Sequence, residues 1–318
     1  MISFFEQYRA DRRIWRAFYR HSRTFSLAAR LLPRRVQMPV ATVYLFCRRV
    51  DSLADKRVLD VGADQALREL DDLRRTLNRT LDEGRPPDGE LLWQRLAEVQ
   101  ANYPLPRQPM NELIRGAKWD LRGQSVDDMH DLVNYANLMG GSVGALMLPF
   151  LTSKEEADRL EAPARRLGIA MQITNITRDV GEDLLDLGRL YLPRDWMQQK
   201  GITRLKLLEG IRKDSSVPAA YPQLLEFVME LAETHYASAV EAIDALPGRA
   251  RFAIRGAARM YREILNEVRA NSYDNLSRRA YTTLPRKLRL LVQDDYARRK
   301  ADLRTQRDAP QTTAPRPA

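Results

Sequence analysis

The stretch "NITRDVGED", Asn175 to Asp183, places Asp179 and Asp183 four residues apart with Glu182 beside them. In an α-helix those two carboxylates share a face. Like charges at that spacing cost a helix about 0.2–0.5 kcal/mol. Something positive must offset the repulsion, and the choice lies between Arg178 and a divalent cation. The preceding run, "LGIAMQITNI" (167–176), is mostly apolar. Carboxylates that continue such a helix face a buried interior, where they need partners.

A second stretch is built alike. "FCRRVDSLAD" (46–55) holds Asp51 and Asp55, again four apart, behind Arg48 and Arg49 and after the apolar "VYLFC" (43–47). One such pair fits a solvated helix face; two in apolar settings do not. If the helices face each other across a cavity, four carboxylates offer a ring of oxygens. A hard cation such as Mg²⁺ takes oxygen ligands and is shared with substrate phosphates. The arginines add bidentate phosphate recognition. A cation so placed draws charge off a diphosphate leaving group. The remaining cavity is then expected to be apolar and aromatic, holding a hydrocarbon away from water.

Outward from these stretches the chain reads as all-α. Apolar residues recur at three-to-four spacing over 63–81, 90–103, 222–246 and 250–273, the period of amphipathic helices. "DEGRPPDGE" (82–90), "YPLPRQP" (103–109) and "LPGRA" (246–250) break them. No run alternates as strands do. The expected organisation is one domain over 10–295 and a disordered, proline-rich basic tail over 301–318.

Composition narrows the class. The chain has 318 residues and a net charge of +10, which suits phosphorylated substrates or an anionic membrane surface. No nucleic-acid-binding signature accompanies the charge. Cys47 is the sole cysteine, so an intrachain disulfide and a cysteine-based zinc site are excluded; it reads as a small buried side chain. The N-terminus lacks the order of a signal peptide. The longest apolar stretch, 138–151, is too short to span a bilayer. A cytoplasmic protein, touching a membrane from one side, is expected.

With these residues in place, the chain resembles the squalene/phytoene synthases, the head-to-head prenyl diphosphate synthases. "NITRDVGEDLLDLGRLYLP" (175–193) is similar to the family's second aspartate motif and "YLFCRRVDSLAD" (44–55) to its first. "HSRTFSLAARLLP" (21–33), "NYANLMGGSVGALMLP" (134–149) and "YREILNEVRANSYDNLSRRAY" (261–281) resemble three further signatures, in the family's order. The chain departs from the pattern where Ala136 replaces a cysteine and Met139-Gly140 replaces valine-alanine, which bears on chain length more than on chemistry.

The resemblance implies an isoprenoid-synthase helical bundle with both aspartate motifs at the mouth of a central hydrophobic cavity. It implies Mg²⁺, with Mn²⁺ as the alternative, and two identical prenyl diphosphates joined through a cyclopropylcarbinyl diphosphate. Two geranylgeranyl diphosphates would give phytoene; two farnesyl diphosphates would give presqualene diphosphate, squalene or dehydrosqualene. A non-catalytic assembly factor for membrane complexes is the reading from another class, and such relatives tend to lose the aspartates. Carried over by position, Asp51, Asp55, Asp179 and Asp183 bind metal, with Asn175 a further ligand. Arg48 and Arg178 match diphosphate-contacting arginines, and Gln172 a polar cavity position. His21, Ser22 and Thr24 match a diphosphate-holding segment. Tyr44, Tyr135, Tyr191 and Tyr261 match tyrosines at the phosphate end, Tyr261 among the catalytic groups. Arg278 or Arg279 matches a C-terminal basic position. From the residues alone, Ser22 also reads as a helix cap, and Gly140, Gly141 and Gly144 as close packing. Glu182 and Asp186 read as solvated or supporting acids.

Overall fold

The computed structural model describes residues 4–212 and 218–292, and the expected tail at 301–318 lies outside them. Two compact units are distinguished, Met1–Tyr281 and Thr282–Ala318. The described residues of the first contain α1 (Phe4–His21), α2 (Arg23–Leu31), α3 (Arg34–Ser52), α4 (Val58–Val61) and α5 (Ala63–Asp82). They continue with α6 (Leu91–Asn102), α7 (Arg107–Leu121), α8 (Met129–Ala136), α9 (Ser142–Leu151) and α10 (Lys154–Asp186). The last are α11 (Arg194–Gln199), α12 (Arg204–Arg212), α13 (Tyr221–Ala245) and α14 (Gly248–Ala270). The second unit contributes α15 (284–292). No strand occurs among the described residues.

The helices fall where the apolar periods place them. In α5, Leu70, Leu73, Leu77 and Leu81 form one buried stripe. α10 begins at Ser153, whose hydroxyl accepts from the Glu156 backbone N–H, with Glu155 and Glu156 in its first turn. Both features favour a helix N-terminus. Its 33 residues run about 50 Å, and α9, α13 and α14 pack along it. The core forms two clusters. One gathers Phe46, Leu70, Leu96 and Met110; the other gathers Leu132, Ile173, Leu224 and Leu265. Phe25 and Met139 pack against both.

Two π-helical turns interrupt the ladder, Leu53–Arg57 after α3 and Asn137–Gly141 between α8 and α9. The second explains the glycine segment. A Cβ on Gly140 would lie 2.2 Å from the Gly168 carbonyl oxygen, and one on Gly168 would lie 2.1 Å from that of Gly140. A Cβ on Gly144 would meet the Ala164 carbonyl oxygen at 2.2 Å. Backbone rests on backbone here, and any side chain would force the elements apart.

Candidate active site

Asp51 lies in the last turn of α3, and Asp55 follows within the π-turn. The single α-helical ladder expected through both is therefore corrected: it widens between them, as helices often do at functional sites. Arg48 donates to Asp51 at 3.2 Å. Burial pushes the Asp51 carboxyl up to about 7, against Arg48 and with help from Asp55 and Asp120. Asp55 accepts from Arg189 at 2.9 Å, and the same guanidinium donates to the Ala54 carbonyl at 2.8 Å. Gly188, at φ 63°, turns the chain out of α10 just before Arg189.

The second pair lies on α10. Arg178 donates through Nε and Nη2 to the two oxygens of Asp179, at 2.7 and 2.5 Å. Arg279 reaches Asp179 at 2.8 Å and Glu182 at 3.1 Å. Arg279 is thus the C-terminal arginine that faces the pair; Arg278 is exposed and lies nearest Asp274, at 3.9 Å. Among the described residues no guanidinium pairs with Asp183. Burial, then Asp179, Asp55, Asp120 and Glu182, push its carboxyl up to about 8. Arg189 links the two motifs: its backbone N–H donates to the Asp183 carbonyl at 2.9 Å while its guanidinium holds Asp55.

Backbone contact sets Arg279 in place. The Gly181 N–H donates to the Asn275 carbonyl at 3.2 Å, and a Cβ on Gly181 would lie 2.0 Å from the Leu276 carbonyl oxygen. Asn275 is buried, accepts from Tyr221 at 2.7 Å and donates to the Thr177 carbonyl. Gly181→Ala should therefore push the 275–279 segment off α10. The expected result is a rise in KM of about tenfold or more, larger than the fall in kcat, since the resemblance assigns Arg279's position to substrate binding. Steady-state kinetics on the variant check it, and an unchanged KM would count against this account.

A buried carboxylate absent from the sequence reading joins the site. Asp120, on α7, accepts hydrogen bonds from Tyr135 at 3.0 Å and Tyr191 at 2.8 Å, and Arg189 lies 3.8 Å away. The two tyrosine rings stack at 4.6 Å. Burial pushes Asp120 up to about 6, opposed by Arg189 and the Tyr191 hydroxyl. Burial and the Asp120 charge push both phenols well above their usual range. Arg189 was likewise not singled out in the sequence.

The N-terminal segment forms another wall. His21 ends α1, and partial burial followed by Arg48, Lys56 and Arg20 lowers its pKa. Ser22 caps α2 by accepting from the Phe25 N–H at 3.1 Å; Thr24 is half-buried in the first turn of α2. Tyr44 packs on Phe18 and Phe25 at 4.5 and 5.8 Å, and Phe25 stacks on Tyr261 at 4.7 Å. Burial raises Tyr261, and the Arg178 charge opposes it. An aromatic row thus adjoins the arginines. An open cavity of about 1160 Å³ lies at the other end of α3, lined by apolar Val36 and Phe150, by Thr42 and also by charged Arg35, Glu98, Glu156 and Arg249. Thr42 is about 14 Å along the helix from Asp51 and Val36 about 22 Å.

The donor set fits a hard cation. Every candidate ligand is an oxygen, which suits Mg²⁺ rather than a soft metal. Asn175 donates to Gln172 at 3.3 Å, while its own Oδ1 is buried without a hydrogen-bond partner. Asp183 has excess negative charge around it. The carboxylates are spread among arginines rather than packed together. The group of three whose ligand atoms lie within 4.8 Å of one another, among the described residues, is Asp128, His130 and Asp131. That group is largely exposed and coincides with the N-cap of α8.

An all-helical bundle that brings two aspartate pairs to one arginine-framed site defines an enzyme of the isoprenoid-synthase fold. The model of the squalene/phytoene synthase family matches residues 18–286, and the chain belongs to that family of prenyltransferases. It is 35% identical over 271 residues to a phytoene synthase of Cereibacter sphaeroides, covering 84% of this chain and 74% of that one. Against the 15-cis-phytoene synthase of Synechococcus elongatus the identity is 32%, over 85% of this chain and 87% of that one. A crystal structure of a dehydrosqualene synthase in complex with ligand matches with a TM-score of 0.78 at 32% identity, over 93% of this chain and 99% of that chain.

Proposed function

We propose that the protein joins two geranylgeranyl diphosphates head to head into phytoene. The observation that carries this reading is the convergence of Asp51, Asp55, Asp179 and Asp183 with Arg48, Arg178, Arg189 and Arg279, beside an aromatic wall. Likeness to phytoene synthases along most of the chain supports the twenty-carbon substrate.

The residues divide the work. Arg48, Arg178, Arg189 and Arg279 bind and orient the diphosphates, and His21, Ser22, Thr24, Tyr44 and Gln172 complete the polar end. Asp51, Asp55, Asn175, Asp179 and Asp183 would hold Mg²⁺, or Mn²⁺, which when bound neutralises a departing diphosphate. In the first step one allylic C–O bond breaks and diphosphate leaves with the electron pair. The double bond of the second substrate supplies the new C–C bond, and loss of a proton closes the cyclopropane. The second step breaks the remaining C–O bond, rearranges the skeleton and releases another proton. Phe18, Phe25, Tyr44 and Tyr261 exclude water from the cations and face them with π-electrons. Asp120 fixes Tyr135 and Tyr191 at the polar end.

The catalytic domain is read as 10–295, working in the cytoplasm at an anionic membrane surface without nucleic acid. No helix among the described residues is long and apolar enough to cross a membrane. A farnesyl-using activity is the second reading, favoured by the dehydrosqualene synthase match. The retained aspartates oppose a non-catalytic role.

Product analysis by mass spectrometry tests the proposal. Purified protein with Mg²⁺ receives geranylgeranyl diphosphate in one tube and farnesyl diphosphate in another. A forty-carbon hydrocarbon from the first is expected, and chelation of the metal should stop it. Thirty-carbon products from the second alone would keep the mechanism and change the substrate. No product from either would return the non-catalytic reading to the front.

A further inference from the structure

Large apolar side chains are seldom exposed among the described residues. Of the ten among the described residues, four fall between 281 and 292: Tyr281, Leu284, Leu288 and Val292. The last three are 60%, 47% and 68% exposed and stand at positions i, i+4 and i+8 of α15. That spacing puts them on one stripe. Arg286, Lys287 and Arg289 flank the stripe; Asp294 and Asp295 follow it in the sequence, and residues 284–300 carry six basic residues against two acidic ones. A bare apolar stripe is unfavourable in water unless something covers it.

The charge decides what covers it. An apolar stripe in a segment with an excess of cations suits a surface that is apolar inside and negative outside, which is a bilayer of anionic lipid. Lys and Arg stems can lie along the apolar level while their charged heads reach the phosphates. We propose that α15 is a membrane-docking helix, with Leu284, Leu288 and Val292 entering the acyl boundary of an anionic bilayer and Arg286, Lys287 and Arg289 meeting its headgroups. Its use rests on the proposed reaction: docking would bring the enzyme to the phase that dissolves its prenyl chains and its product. The docking itself does not depend on that reaction.

The test uses the full chain and vesicles of phosphatidylcholine, with or without phosphatidylglycerol, in sedimentation assays at low salt. The wild type should pellet with the anionic vesicles and stay in solution with the neutral ones. Combined Leu284→Ser, Leu288→Ser and Val292→Ser should weaken anionic-vesicle binding by about tenfold or more. Arg289→Gln should weaken it by about fivefold. Turnover of detergent-dispersed substrate should be unchanged in both variants, so loss of the reaction and loss of docking are read separately. As a check independent of those variants, Val292→Trp should add a blue-shifted emission on anionic vesicles. Equal binding by wild type and the triple variant would overturn the proposal. So would a wild type that ignores anionic vesicles, or a concentration-dependent dimer that the triple variant alone abolishes.

Discussion

Asp179→Ala is expected to lower turnover by about a thousandfold or more while the helical fold persists, the scale of losing a preorganised electrostatic group. Asp179 holds Arg178 and Arg279 at once, at 2.5–2.8 Å in the shorter contacts. Without it, Arg279 keeps Glu182, but Arg178 loses the carboxylate that its Nε and Nη2 bind and is largely withdrawn from solvent. Removing one partner of a buried pair costs stability as well as function. Asp179→Asn separates the two effects, because it keeps the volume and loses the charge. It should be as inactive as the alanine variant but melt closer to the wild type. Asp51→Ala should be equally inactive and more stable than Asp179→Ala, since Asp51 has one guanidinium partner. Product formation, far-UV circular dichroism and thermal melts together decide the matter. Substantial activity in Asp51→Ala or Asp179→Ala would refute a mechanism that uses both motifs.

Much of this arrangement was legible because its signals are local. Apolar periods over 63–81 and 90–103 become α5 and α6 nearly to the residue. The breakers between them become loops. The two aspartate pairs could be read because each repeats a short pattern within one turn of helix. The π-turns left no such trace, since widening a ladder changes hydrogen-bond partners without changing residue types. The choice between Arg278 and Arg279 was also closed to the sequence. It depends on a backbone contact at Gly181, far from either arginine along the chain. Asp120 left a faint signal: on α7 it shares the buried side with Leu113, Ala117 and Leu121, where a charge is out of place. Its partners Tyr135, Tyr191 and Arg189 come from other elements, so only the fold shows why a carboxylate belongs there.

That position carries the second large effect. Asp120→Asn should cut kcat by about a hundredfold with a small change in KM, since misplacing groups by about 1 Å has that scale of cost. Asp120 accepts from two phenols at once, and an ionised carboxylate has an oxygen for each. Asparagine keeps one acceptor and turns an amide N–H₂ toward the other hydroxyl, so that phenol must reverse from donor to acceptor and shift its ring. The charge that lies 3.8 Å from Arg189 also disappears, and Arg189 is left to Asp55 alone among the nearby acids it contacts. A guanidinium bound more firmly to Asp55 is less ready to receive a diphosphate. Asp120→Asn should therefore resemble the loss of one phenol contact, as in Tyr135→Phe or Tyr191→Phe, with an additional loss from Arg189. A double-mutant comparison reads this directly: once both phenols are removed, Asp120→Asn should cost much less than it does in the wild type. If the full cost persists without the phenols, Asp120 acts through Arg189 alone. If Asp120→Asn turns over like the wild type, the buried carboxylate serves packing and has no part in placing the tyrosines.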